Sequence, residues 1–180
     1  MLPNLKNMTP TEETLSEIHK NTDAVLKEFL EFDGDSFFLK PSAQEWSAAE
    51  VGEHLVLVGK HVLKALIGSA LPTNRGFDEK LALLRPAMAN QDQKFEAPAI
   101  AIPQSIHQNR HDIVDELKSV RQEITKLVPG MDLSLTCMDA KHPRVGNLTR
   151  YEWIYFDIYH AERHLHQLRT VAQKLKEQSV

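Results

Sequence analysis

Apolar residues recur along this chain at spacings of three, four and seven, the mark of amphipathic helices. Leu15, Ile18, Thr22, Leu26 and Phe29 form a first stripe, and Val51, Leu55, Val58, Val62 and Ala65 a second. Ile113, Leu117, Val120, Ile124 and Leu127 form a third, and Trp153, His160, His164, Val171 and Leu175 a fourth. Each stripe follows a Ser/Thr-x-x-Glu/Gln pattern: Thr9-Pro10-Thr11-Glu12, Ser47-Ala48-Ala49-Glu50, Ser105-Ile106-His107-Gln108 and Thr149-Arg150-Tyr151-Glu152. In such a capping box the hydroxyl takes an orphan amide of the first turn, and the longer side chain reaches back to the cap. Pro10 falls where its missing N–H is harmless, and Trp46 with Val51 and Leu148 with Trp153 add hydrophobic staples. Stop signals follow at Asp33-Gly34-Asp35, Gly68 and Pro129-Gly130.

Four long helices in a chain of 180 residues predict an all-α, single-domain protein (1–180), a four-helix bundle with uneven connections. Residues 69–104, with Pro72, Pro86, Pro98 and Pro103, form a long crossover between helices two and three, long enough to have structure or work of its own. Within it, 77–84 reads as a short helix, and beyond the third helix 133–136 reads as a short extended piece.

Composition narrows the function by exclusion. The formal charge of −4 gives none of the basic footprint of a nucleic-acid binder. No apolar run approaches the ~20 residues that a membrane span needs. The start, Met1-Leu2-Pro3-Asn4-Leu5-Lys6, lacks the apolar core of a signal peptide, so a cytoplasmic address is expected. One cysteine, Cys137, excludes an internal disulfide and a multi-cysteine zinc site, and nothing around it marks an activated thiol. The nine histidines are the unusual feature.

Their direction matters more than their number. At ~100° per residue from Trp153, His160 falls at about −20° and His164 at about +20°, in the middle of the stripe that should bury most deeply. Asp157, Gln167 and Leu168 are their neighbours on that stripe. Buried imidazoles need partners, and two at i and i+4 can converge on one metal ion. His107 and His111 share this spacing but lie ~120–160° from the third stripe, facing water. Spacing and direction fit a ligand pair and a hydrogen-bonded core pair alike. A third ligand must come from another helix. His54 and His61 flank the second stripe at about −60° and −80° from Val51, and His19 lies at about +40° from Leu15. The residue pattern does not choose among the three.

The stretch Trp46-Ser47-Ala48-Ala49-Glu50-Val51-Gly52-Glu53-His54-Leu55 resembles the second-helix signature of the DinB-like metal-binding bundles. The run from His142 to Thr149, then Glu152-Trp153 and His160-Ala161-Glu162-Arg163-His164-Leu165-His166-Gln167-Leu168, resembles their last loop and helix. The resemblance implies a metal held by His54, His160 and His164. It also implies relatives that include thiol-dependent transferases, isomerases and metal-dependent hydrolases, without selecting a reaction. Homodimers are the family habit, which the apparently exposed Tyr151, Tyr155 and Tyr159 would serve.

Three neutral histidines suit Zn²⁺ or Ni²⁺, and also Fe²⁺, and leave an open position at which a water or a small-molecule thiol is activated. The expected substrate is a small electrophile. With no cysteine beside the ligands, a low-molecular-weight thiol would be a cosubstrate. Asp157, one turn before His160, is the candidate catalytic residue, able to orient an imidazole or act as a base. As an ordinary helix-face carboxylate it would instead pair with Arg163 or Arg150. Gln167 is placed behind the ligands as a hydrogen-bond partner. Glu50 and Glu53 read as solvated, and His142-Pro143 as a rigid loop. The alternatives are a bundle that binds metal or a small molecule without turnover, and an interaction module with no metal.

Overall fold

A computed structural model describes residues 9–104, 106 and 109–178. Among these are five α-helices: α1 (Pro10–Phe29), α2 (Ala48–Ile67), α3 (Leu81–Ala89), α4 (Arg110–Leu127) and α5 (Arg150–Gln178). Short 3-10 turns lie at Ser36–Phe38, Ala99–Ala101 and Val128–Gly130. Two two-residue strands, β1 (Ala70–Leu71) and β2 (Thr136–Cys137), pair antiparallel with Ala70 opposite Cys137. The protein is all-α in class. No helix among the described residues is long and apolar enough to cross a membrane.

Three of the four predicted capping boxes are formed. Thr9 and Glu12, Ser47 and Glu50, and Thr149 and Glu152 each exchange hydroxyl-to-amide and carboxylate-to-amide bonds, at 2.8–3.3 Å. Ser105, His107 and Gln108 of the fourth lie outside the described residues. There α4 is capped later, by the Asn109 side chain accepting from the Asp112 amide at 2.9 Å. α1 stops at Phe29, ahead of the Asp33-Gly34-Asp35 signal, and α2 stops at Gly68 as expected. The crossover helix runs Leu81–Ala89, shifted toward the C-terminus from 77–84, and the extended piece sits at Thr136–Cys137, at the edge of 133–136.

α2 is the central helix. It packs against both α4 and α5, while α1 lies against α5 and α4, and α3 covers α5. Every residue from Val51 to Val56 is therefore buried, including Glu53 and His54. Gly52 and Gly59 allow α4 to approach: a Cβ on Gly52 would stand 2.6 Å from Ile113 Cγ2, and one on Gly59 2.9 Å from Val120 Cγ1. The interior divides into two apolar clusters. One holds Val62, Leu66, Ile124, Trp153, Ile154 and Ile158, and the other Phe29, Val51, Leu55, Ile113, Leu117 and Leu165. α5 passes from the first to the second between Ile158 and Ala161, the point at which His160 stands.

The tyrosine stripe does not face water as expected. Tyr155 is buried and Tyr151 and Tyr159 are half-buried, and Tyr155 packs against the other two with ring centroids 4.5 and 5.8 Å away. The aromatic ground for a dimer is thereby removed.

Gly52→Ala is expected to destabilise the protein by about 1–3 kcal/mol, the usual range for overpacking a filled core. Gly34→Ala, whose new methyl meets nothing within 4 Å, should stay within about 0.5 kcal/mol of wild type. Urea unfolding of the two variants checks this; equal stability would contradict the close approach of α2 and α4.

Candidate metal centre

The fourth residue position after the α2 capping box carries His54, and the middle of α5 carries His160 and His164 one turn apart. Packing of α2 on α5 brings the three rings together. His160 Nε2 lies 3.1 Å from His54 Nε2 and 3.1 Å from His164 Nε2. One donor nitrogen from each ring lies within 4.8 Å of the others.

Two of the rings are held from behind. His54 Nδ1 is 2.6 Å from the Ala101 carbonyl oxygen, which only accepts, so this ring carries its proton on Nδ1 and turns an Nε2 lone pair inward. His164 Nδ1 donates in the same way to Gln167 Oε1 at 2.7 Å. His160 Nδ1 is buried with no hydrogen-bond partner among the described residues. Nitrogen lone pairs facing one another at this distance repel unless a proton or a cation lies between them.

Burial keeps all three rings neutral. His164 is pushed down to about 3, chiefly by desolvation and further by the neighbouring His54. His160 falls well below the ordinary histidine value, through desolvation and then the nearby His164 and His54. Desolvation also lowers His54, against the hydrogen bond to Ala101. Neutral imidazole is the ligating form.

The surroundings close the site. The Trp46 ring lies 4.9 Å from His54 and nearly parallel to His164 at 6.5 Å, and Phe156 lies 5.5 Å from His160. The crossover is tied down on both sides of the cluster. Gln104 N donates to Glu53 Oε1 at 2.9 Å, beside His54. Arg163, beside His164, donates to the carbonyls of Met88, Asn90 and Gln93. Glu53 is thus buried, contrary to the solvated reading. Glu50 is half-buried and bridged by Lys40 at 2.8 Å.

The other candidates lie elsewhere. His19 is exposed, and His61 packs edge-on against Trp153 at 5.5 Å. His111 is exposed, as read, and His107 lies outside the described residues. Asp157 is buried, but its partner is Arg121 on α4 at 3.3 Å, in place of Arg163 or Arg150. His142 closes a tight loop: its Nδ1 accepts from the Arg144 and Val145 amides, and its ring packs on Phe156 at 4.9 Å. Cys137 is buried, its thiol pushed up to about 11 by desolvation, which leaves it unreactive. Two contributors escaped the sequence reading. Arg121 sits four residues after Leu117 and three before Ile124, a phase inside the buried stripe that could have marked it. Ala101 acts through its backbone carbonyl and carries no such signal.

The donor set fits a divalent metal. Zinc–nitrogen bonds of about 2.0–2.1 Å at tetrahedral angles put neighbouring donors about 3.3 Å apart, close to the 3.1 Å of the two pairs that include His160; the third pair lies within 4.8 Å. Three neutral nitrogens suit the later first-row metals better than Ca²⁺ or Mg²⁺, which take oxygen.

The model of the DinB superfamily matches residues 15–168 of the chain. The "Uncharacterized protein YuaE" of Bacillus subtilis (strain 168) is 27% identical over 140 residues, which span 76% of this chain and 83% of that protein. No solved structure gives a significant match.

The neutral histidines give stability a definite pH dependence. His142, buried and close to Arg144 and Lys80, is pushed down to about 4, alongside the three clustered rings. Unfolded, each binds a proton near pH 6.5; folded, each does so only at lower pH, so the unfolded state holds more protons and stability falls as pH drops. Asp157, pushed up by burial, works against the four imidazoles. The urea midpoint of metal-free protein is expected to fall from pH 7 to pH 5 and to stay flat with respect to these groups above pH 7.5. A midpoint unchanged between pH 7 and 5 would contradict buried neutral rings.

Proposed function

The chain belongs to the DinB superfamily, and we propose that it is a metal-dependent enzyme of the DinB four-helix-bundle type, with His54, His160 and His164 as the metal ligands. One observation carries this reading: three imidazoles from two helices, His54 and His164 buried and His160 half-buried, bring their Nε2 atoms together, with two rear nitrogens already committed to acceptors. Zn²⁺, Ni²⁺ and Fe²⁺ all suit the set. When bound, such an ion supplies a Lewis acid that activates a water or a small-molecule thiol at its open position. The reaction is hydrolysis of, or thiol transfer to, a small electrophile.

The protein's own part is orientation and exclusion. The Ala101 carbonyl and the Gln167 amide oxygen set the tautomers of His54 and His164, so their lone pairs need no rearrangement before ligation. Trp46 and Phe156 pack against the rings of His54 and His160 and limit their movement. Asp157 lies in an ion pair with Arg121 and is assigned to the support of the site; a general base needs a free carboxylate within reach of substrate.

Purified protein is expected to carry stoichiometric divalent metal by elemental analysis. His160→Ala should lose it, whereas His111→Ala, on the exposed face, should keep it; equal behaviour of the two would overturn the site. Turnover is tested on esters, amides, epoxides and halogenated electrophiles, each with and without low-molecular-weight thiols. We expect activity that disappears with chelation and with His160→Ala. Metal uptake with no turnover on any of these would reduce the reading to metal binding alone.

A further inference from the structure

The three converging rings are not equally supported. His54 and His164 are held at Nδ1, but His160 Nδ1 is sealed from solvent and has no hydrogen-bond partner among the described residues. A buried ring nitrogen in that position is unfavourable until something meets it. Two buried side chains with unmet hydrogen-bonding atoms lie on the same and a facing helix. Asp157 precedes His160 by three residues on α5, a spacing that puts both side chains on one face with Cβ atoms about 5–6 Å apart. It is 2% exposed, and its Oδ1 also lacks a partner among the described residues. Its Oδ2 lies 3.3 Å from Nη1 of Arg121, which reaches in from α4 and is 3% exposed. Arg121 Nε and Nη1 likewise have no hydrogen-bond partner among the described residues. One buried ion pair thus offers both an acceptor and donors at the level of a single orphan nitrogen.

We propose that the Arg121–Asp157 ion pair is the positioning element of His160 and serves the ring in either tautomer. When His160 gives its Nε2 lone pair to a cation, its proton is on Nδ1, and Asp157 Oδ1 accepts it, directly or through one water. Without a cation, the geometry favours the other tautomer. The Nδ1 protons of His54 and His164 are committed, so both of their Nε2 atoms are acceptors, each 3.1 Å from His160 Nε2. His160 then gives its single Nε2–H to one of them or divides it between both, and its bare Nδ1 accepts from Arg121. The ring is neutral in both arrangements: one proton leaves Nε2 and one is taken up at Nδ1. A lone carboxylate would serve only the first tautomer and a lone guanidinium only the second. The cation-bound half of this inference rests on the three-histidine reading; the metal-free half does not.

The test uses the full chain labelled with ¹⁵N-histidine, with Zn²⁺ alone as the ligand. Asp157→Leu combined with Arg121→Met replaces the pair by apolar groups and leaves no unpaired charge. In metal-free protein the double variant should shift the His160 Nδ1 resonance while those of His54 and His164 stay in place. Zn²⁺ affinity, read by chelator competition, should fall roughly 10–100-fold. Asp157→Asn, which keeps a carbonyl acceptor, should lose less affinity than the double variant. A His160 spectrum identical in wild type and double variant overturns the proposal, and so does a common shift of all three rings, the sign of general loosening. Should the double variant fail to fold, Asp157→Asn decides alone. An amide oxygen is a weaker acceptor than a carboxylate, so the His160 shifts must move in at least one metal state, and shifts unmoved in both overturn the proposal. Should wild type take up no Zn²⁺, the metal reading falls, while the metal-free spectra still decide the role of the ion pair.

Discussion

Three imidazoles that meet inside the bundle, two buried and His160 half-buried, set the terms for the rest of the molecule. With Nδ1 of His54 and His164 committed to acceptors, their inward nitrogens can only accept. Something positive, a proton or a cation, has to occupy the space between them and His160. Protonating a ring outright is disfavoured by the same desolvation that lowers all three. The interior suits a cation or the N–H of a neutral ring at this point, and it resists a fixed imidazolium.

That constraint needs a stiff frame, and the frame is apolar on both sides. One cluster lies along the first half of α5 and the other along the second, with His160 at the junction. Asn21 donates to the Ile158 carbonyl and Arg121 pairs with Asp157, so buried polar groups from α1 and α4 meet α5 just before His160. The start of α5 is clamped independently: Glu152, fully buried, takes both Arg75 nitrogens at 2.6 Å and the Lys80 and Thr149 amides at 2.7 and 2.9 Å. The helix that carries two of the three rings thus has its N-terminal end fixed to the crossover. Loss of one charge from such a buried pair commonly costs about 3–5 kcal/mol, which marks how firmly this end is held.

The second and third long helices were largely legible because packing and propensity agree there, and on α2 the cap as well: all five residues of the α2 stripe and four of the five on α4 are buried. On α1 the reading was rotated. The buried line is Thr14, Ile18, Asn21, Val25 and Phe29, because two polar residues with local or cross-helix partners take places that hydrophobicity alone assigns to Leu15 and Leu26. The inward direction of His160 and His164 followed from helical phase. The choice of His54 over His61 did not, since both flank the same stripe and both meet α5, one at His160 and the other at Trp153; the family resemblance supplied it. Arg121 was overlooked for a different reason: a charged residue at a core position is read as exposed unless a partner is known, and Asp157 lies 36 positions away on another helix.

The crossover was the least legible part, because its work is done by backbone atoms. Its 3-10 turn offers the Ala101 carbonyl to His54, and three more of its carbonyls receive Arg163. Phe95 lies between the guanidinium groups of Arg163 and Arg144, each 4.8 Å from the ring centre. The residues that hold the segment, Glu53 and Arg163, are the immediate neighbours of His54 and His164 in sequence. A helical residue cannot turn without turning the next one. Any rotation of α2 or α5 that spoils the convergence of the rings also strains the anchors of the crossover, and withdrawal of the crossover removes the acceptor that fixes the His54 tautomer. Ligand geometry and the covering of the site are in this way one mechanical unit, joined at adjacent positions of two helices.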